Sequence, residues 1–297
     1  MKVLNFGSLN VDYVYSVDHM VQGGETLTSS GMQIFLGGKG FNQSAALAKA
    51  GLEVYHAGQI GEDGSGFLEA CREYGIHADF IRKTDGKSGH TIIQVDKNGQ
   101  NCILLHGGSN RTITRAFVDE VLSHFEKGDF LILQNEINQL DYIIDAAYEK
   151  GMIIVLNPSP MDDYLKSCDM SKVSYFLLNE IEGMQLTGEK DLDLVPAKLL
   201  EKYPDAKIVL TLGSEGSVYM DRQTTVRQGI YPVDVVDTTA AGDTFTGYFI
   251  AGVVAGDTIE VILRRAAKAS AIAVSRKGAA PSIPWREEVD DNVDGSF

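Results

Sequence analysis

The chain has 297 residues, 44% hydrophobic and 23% charged, a composition that supports a full α/β core and argues against disorder. A formal net charge of −15, with no local basic patch to oppose it, excludes nucleic acid and anionic membrane as natural partners. Three scattered cysteines, Cys71, Cys102 and Cys168, fit neither a disulfide framework nor paired metal ligands. Together with an amino terminus unlike a signal peptide and no long apolar run, they predict a cytoplasmic protein.

Short apolar, β-branched runs follow one another along the chain: VLNF at the start, VYHA at 54–57, FLIL at 130–133, MIIVL at 152–156, YFLL at 175–178 and IVLTL at 208–212. Helical patterns separate them, including 41–50 closed by Gly51 and 141–150 closed by Gly151, with glycine where a left-handed cap is wanted. The alternation predicts an α/β fold with a mainly parallel, doubly wound sheet. Two stretches, about 12–36 and 88–105, break the rhythm with alternating polar positions and no helices. They predict a small antiparallel β lid inserted into one domain spanning 1–297. The acidic end, 287–297, reads as a solvated tail.

In an open parallel sheet the ligand lies at the carboxyl ends of the strands. The residues found there are Asn10 and Asp12, Asn135 and Glu136, Asn157, Asn179 and Glu182, and Thr211 and Gly213. Any one alone reads as a cap or turn residue; five strands ending this way predict a polar site. The run DTTAAGDTFTG, Asp237 to Gly247, leads into an apolar helix. Its small residues Ala240, Ala241 and Gly242 leave N–H groups open at a helix start, where the dipole favours an anion such as phosphate. Asp243 in that first turn is either a dipole-stabilising acid or a base that takes a proton from an alcohol attacking phosphorus. A second glycine cluster, GGKG at 37–40, followed by Phe41 and Asn42, permits close backbone approach by a ligand, with Lys39 and Asn42 as hydroxyl partners. No GxxxxGK[ST], GxGxxG, HExxH or GxSxG pattern occurs, which argues against P-loop, dinucleotide, zinc-protease and serine-hydrolase chemistry. A Mg²⁺ carried in on a nucleotide needs only one or two carboxylates.

Two motifs, LGGKGFNQSAALAKAG and DTTAAGDTFTG, make the chain resemble the ribokinase and phosphofructokinase-B family of sugar kinases across essentially its whole length. GSLNVD, NPSP, LNEIEG, TLGSEG and VSRKGAAPSIPWREEV add to the resemblance. It implies a three-layer α/β/α sandwich with a small β-sheet lid, and ATP-dependent phosphorylation of a sugar's primary hydroxyl, ribose leading over deoxyribose, fructose and nucleosides. By the same resemblance Asn10, Asp12, Gly38, Lys39, Asn42 and Glu136 hold the sugar and Asp243 is the base. The N–H groups of Ala240 to Asp243 form an anion hole. Asn179 and Glu182 organise Mg²⁺ and phosphates through water, while Thr211, Gly213 and Gly242 line the nucleotide cleft. A K⁺ ion is implied at Asp237, Thr239, Ala273, Arg276, Gly278 and Ser282, and a homodimer through the lid. Phe41 stands where relatives usually have alanine, and Ala267 with Lys268 where the adenine pocket often has His or Asn. Lid side chains near Ile93, Leu104 and His106 are implied at the sugar's far end. A phosphosugar acceptor would call for further Lys or Arg beside Lys39, and a sugar-binding regulator without catalysis would show damage at Asp243 or the AAG run; both are intact.

Overall fold

The computed structural model describes residues 1–290, so most of the stretch expected to be an acidic tail lies outside the described residues. The first half of the chain runs through β1 (Val3–Phe6), β2 (Asn10–Ser16), β3 (Gly31–Gly37), α1 (Lys39–Lys49), β4 (Val54–Ile60), α2 (Ser65–Tyr74), β5 (His77–Lys83), β6 (Gly89–Val95) and β7 (Asn101–His106). It continues with α3 (Arg115–Leu122), β8 (Phe130–Gln134), α4 (Leu140–Lys150), β9 (Ile153–Asn157), β10 (Tyr175–Asn179), α5 (Glu180–Thr187), α6 (Val195–Lys202) and β11 (Lys207–Thr211). The last elements are β12 (Ser217–Met220), β13 (Thr225–Gln228), α7 (Ala241–Ala255), α8 (Ile259–Val274) and α9 (Arg286–Asp290).

The main sheet has the order β13-β12-β11-β10-β9-β8-β1-β4-β5, parallel except for the hairpin β12–β13 at one edge. Because its strands are covered on both faces, they read as continuous apolar runs. Val3 of β1 packs into a core with α1, α2, α7 and α8, while Leu4 and Phe6 point to the opposite core with α3, α4 and α6. These are the three layers the sequence implied. The chain winds from β1 outward to β4 and β5, then returns to β8 on the other side of β1. That reversal opens a crevice beyond the carboxyl ends of β1 and β8, where Ser8, Asn10 and Glu136 fall.

The second sheet has the order β3-β2-β6-β7. It matches the two stretches that broke the helical rhythm, with one correction: β2 and β6 pair in parallel, Asn10 opposite Gly89, rather than antiparallel. Both strands leave the main sheet from the same carboxyl edge, so they run the same way. The register puts Ile93 on the Asp12 face of this sheet and places His106 and Leu104 on the opposite face, against the expectation that all three meet one ligand.

Strand β5 and the β12–β13 hairpin had no apolar run to announce them. At the carboxyl end, α9 is packed rather than frayed: Val289 is fully buried and Glu288 pairs with Arg276 at 2.5 Å. The segment from Glu287 to Asp290 is therefore not a solvated tail. Cys71 and Cys168 are buried, Cys102 is exposed, and none of the three is paired. Among the described residues no helix is long and apolar enough to cross a membrane.

Candidate active site

Helix α7 is apolar on every side and buried between α1 and α8, which fixes its first turn at the crevice. Ala240 caps it in the left-handed conformation, φ 61° and ψ 10°, a geometry that costs a non-glycine residue about 1 kcal/mol. The twist turns the Ala241 N–H back onto Thr238 O at 3.2 Å. As first-turn positions, Gly242 and Asp243 have no helical acceptor for their own N–H groups. Of the four N–H groups from Ala240 to Asp243 that the resemblance implied for an anion hole, that of Ala241 is thus already engaged.

Asp243 is 7% exposed, and both of its oxygens are held from α1. Asn42 Nδ2 donates to Oδ2 at 3.1 Å and Gln43 Nε2 donates to Oδ1 at 2.9 Å. Helix α1 can stand this close because Gly40 lies against the backbone of Gly7 and Ser8, where any Cβ would collide, and because Gly38 takes φ 92° ahead of Lys39. The helix accordingly starts two residues before the expected Phe41. Phe41 itself points away into the core, edge-on to Phe67 at 5.1 Å, so its bulk does not enter the site.

Glu136 gathers the sugar candidates. Its Oε2 accepts from the Ser8 hydroxyl, from Asn10 Nδ2 at 3.3 Å and from the Lys39 N–H at 3.1 Å. Burial raises the Glu136 carboxyl above the usual carboxylate range, an effect the nearby Lys39 ammonium opposes. Burial alone would lower Lys39, but the carboxylates of Asp243, Glu136 and Glu182 hold its ammonium above the ordinary lysine value. Asp12, on the adjoining β2, accepts from Thr91 Oγ1 at 2.5 Å and is pushed up to about 6, mainly by burial. Asn42 Oδ1 is buried without a hydrogen-bond partner among the described residues, an acceptor waiting for a donor such as a hydroxyl.

A cavity of about 210 Å³ opens on the other side of Asp243, lined by Lys39, Asn179, Glu182, Thr211 and Ala240 to Asp243, with Asn157 and Thr238 at its wall. The pairing of Asn179 with Glu182 is a capping box at the start of α5: Glu182 N donates to Asn179 Oδ1 at 2.9 Å, and Asn179 N to Glu182 Oε2 at 3.0 Å. Gly213, at φ 49°, opens a short turn after β11, where a Cβ would come within 3.3 Å of Glu180. The Asn135 side-chain NH₂ donates to Pro160 O at 2.6 Å and to Asp162 Oδ1 at 2.8 Å. Farther along α8, a second pocket of about 270 Å³ is bordered by Tyr231, Arg264, Arg265 and the buried Lys268.

The expected K⁺ ligands come from two segments that the fold joins. Asp237 N donates to Val274 O at 3.1 Å, and Asp237 Oδ2 accepts from the Gly278 N–H at 3.0 Å, with the Thr239 N–H on Oδ1 at 2.9 Å. Ser282 turns back to Ala279 O, Arg276 pairs with Glu288, and the Ala273 carbonyl already accepts from the Arg276 N–H at 3.1 Å.

Four residues that organise the site went unread in the sequence: Ser8, Gln43, Asn110 and Gln134. Asn110 Nδ2 donates to Asn10 Oδ1 at 2.7 Å and so orients the Asn10 amide toward Glu136. One signal was available, the amide of Asn5 inside VLNF, because a polar group in the middle of a buried strand demands partners.

The chain matches the pfkB family carbohydrate kinase profile over residues 1–286. It is 32% identical to ribokinase of Bacillus subtilis (strain 168), covering 96% of this chain and 97% of that protein. It is 34% identical to ribokinase of Schizosaccharomyces pombe, over 100% of this chain and 98% of its relative. Among solved structures it is similar to Arabidopsis thaliana ribokinase complexed with ribose and ATP, with a TM-score of 0.87, 29% identity and 99% of each chain covered. With both motifs gathered around one buried aspartate and this similarity running the length of the fold, the chain belongs to the pfkB family of carbohydrate kinases.

Proposed function

We propose that this protein transfers the γ-phosphoryl group of ATP to the primary hydroxyl of a free sugar, D-ribose first, yielding D-ribose 5-phosphate and ADP. One observation carries the reading: the Asp243 carboxylate lies between a buried set of hydroxyl partners and a helix start with free N–H groups. The sugar hydroxyl gives its proton to Asp243 as its oxygen bonds to the γ-phosphorus, and the bond from that phosphorus to the β-bridging oxygen breaks. Charge on the transferring group falls to the N–H groups of Gly242 and Asp243 and to the Lys39 ammonium. Asn10, Asp12, Asn42 and Glu136 orient the sugar, with Asn42 Oδ1 supplying the unused acceptor.

The donor set suits Mg²⁺ arriving on the nucleotide: Glu182 is the carboxylate beside the cavity, and since its oxygens are already engaged by Asn179, it acts through water. Mg²⁺ would supply charge neutralisation for the nucleotide's phosphates. Asp237, Thr239 and Gly278, joined as described, would hold K⁺ together with Ala273, Arg276 and Ser282. The nucleoside end extends past Thr211 and Gly213 toward α8. The second sheet acts as a lid and carries the contact with a second copy: Ile34 and Leu104, on the face away from Asp12, are exposed by 58% and 66%. A reducing cytoplasm suits the unpaired thiols.

The test is ADP release against ribose, deoxyribose, fructose and nucleosides, with and without K⁺, for wild type and Asp243→Asn. Ribose-dependent turnover lost in the variant supports the reading. Turnover on another acceptor would move the substrate and keep the mechanism, and an Asp243→Asn enzyme as fast as wild type would remove the base.

A further inference from the structure

Behind Asp243 lies a chain of buried amides that ends on a backbone carbonyl. Gln43 Nε2 donates to Asp243 Oδ1 at 2.9 Å, and Gln43 Oε1 accepts from Gln134 Nε2 at 2.7 Å. Gln134 Nε2 also donates to Asn5 Oδ1 at 3.1 Å, while Asn5 Nδ2 donates to Gly40 O at 2.7 Å and to Ser44 Oγ at 2.9 Å. Asn5, Gln43 and Gln134 are each fully buried, on β1, α1 and the end of β8.

An amide can be turned end for end, yet here both termini forbid it. Gly40 O can only accept, so Asn5 must present its NH₂ there and its oxygen to Gln134. Gln134 must then donate to Gln43 Oε1, and Gln43 must present its own NH₂ to Asp243, an acceptor-only carboxylate. Reversing any member would set oxygen against oxygen among fully buried groups.

We infer that Gln43 is a positioning residue for the base, and that Gln134 and Asn5 lock its orientation. It fixes the rotation of the Asp243 carboxylate from behind, so that the oxygen facing the acceptor hydroxyl is held before substrate arrives. Gln43 touches neither sugar nor nucleotide in this scheme, so it acts on kcat and not on sugar KM. The inference rests on Asp243 being the base.

The experiment uses the full chain with ATP, Mg²⁺ and the acceptor that wild type turns over fastest. Gln43→Met should lower kcat roughly 10- to 100-fold, the range for losing a hydrogen bond to a charged group, with sugar KM within about threefold. Gln134→Met, which does not touch Asp243, should lower kcat by a smaller factor with the same unchanged KM. Added to Asp243→Asn, Gln43→Met should cost less than about threefold, since the group it positions has lost its role. A merely structural glutamine would give the same loss in both backgrounds, and that result overturns the inference, as does full kcat in Gln43→Met. Should Gln43→Met fail to fold, Gln43→Asn, a neutral amide one methylene too short to reach Asp243, carries the same comparison. Wild-type kcat in Asp243→Asn would defeat the base assignment itself, whereas an inactive Asp243→Asn beside a fully active Gln43→Met defeats only the role of Gln43.

Discussion

The two sides of Asp243 are built differently. On the proposed sugar side Asn10, Asn42, Gln43, Gln134 and Glu136 are buried and joined to one another, so polar groups are fixed before any ligand binds. On the nucleotide side the approach to α7, residues 229–240, is mostly exposed and borders an open cavity. A reaction whose acceptor must be aimed within a fraction of an ångström needs the rigid half, and a ligand that anchors through its own phosphates can use the open one. Mutations should therefore divide: sugar-side changes reach stability and catalysis together, nucleotide-side changes reach ATP binding and little else.

The largest effect belongs to the shared residue. Asp243→Asn keeps the shape and should cut kcat roughly 100- to 10,000-fold with the fold intact by circular dichroism. Glu136→Ala should come next, because it strands the Ser8 hydroxyl, the Asn10 amide and the Lys39 N–H and removes a buried partner of the Lys39 ammonium. A loss of about 3 kcal/mol in urea unfolding, with a large rise in sugar KM, is expected. If stability holds, the sugar side is less rigid than its bonding implies.

Asp12 sharpens the contrast through pH. Its folded value is pushed up to about 6, above its unfolded value near 3.8, so between these limits the native state binds the extra proton. Its contribution to stability is thus full below about 3.8 and is lost as pH rises through 6. Asp12→Asn should be more stable than wild type at pH 7.5 by an amount on the order of 3 kcal/mol, the gap closing toward pH 4. In wild type, sugar KM should rise as pH falls below 6, while KM for ATP stays flat. A gap independent of pH would assign the effect to something other than this carboxyl.

The smallest effects lie on the open side. Asn179→Ala removes the α5 cap and should cost about 1 kcal/mol with a modest rise in KM for ATP. Sugar KM unaffected by that change, measured in the same assay, is what separates the two halves.

The sequence carried the parallel sheet because its strands, covered on both faces, had to be uninterrupted apolar runs. Asp243, Asn42, Glu136 and the small residues before α7 could be singled out from sequence as candidates because their types suit phosphate chemistry at strand and helix ends. Gln43 and Gln134 were not, since they act through each other across 91 positions, and nothing local distinguishes a buried glutamine from an exposed one. Strand β5, HADFIRK, escaped because as an edge strand it alternates exposed and half-buried positions. The parallel pairing of β2 with β6 escaped because alternation of side chains fixes a strand's faces but not its direction.

That pairing also governs the order in which the molecule can assemble. Asn10 meets Gly89 only after the intervening chain, with α1, β4, α2 and β5, has packed against β1 and returned to the same edge. Contacts so distant along the chain close late, because the entropy of the loop between them is lost before the contact repays it. The second sheet should accordingly gain amide-exchange protection after β1, β4 and β5 have paired, with catalytic competence appearing only when it forms.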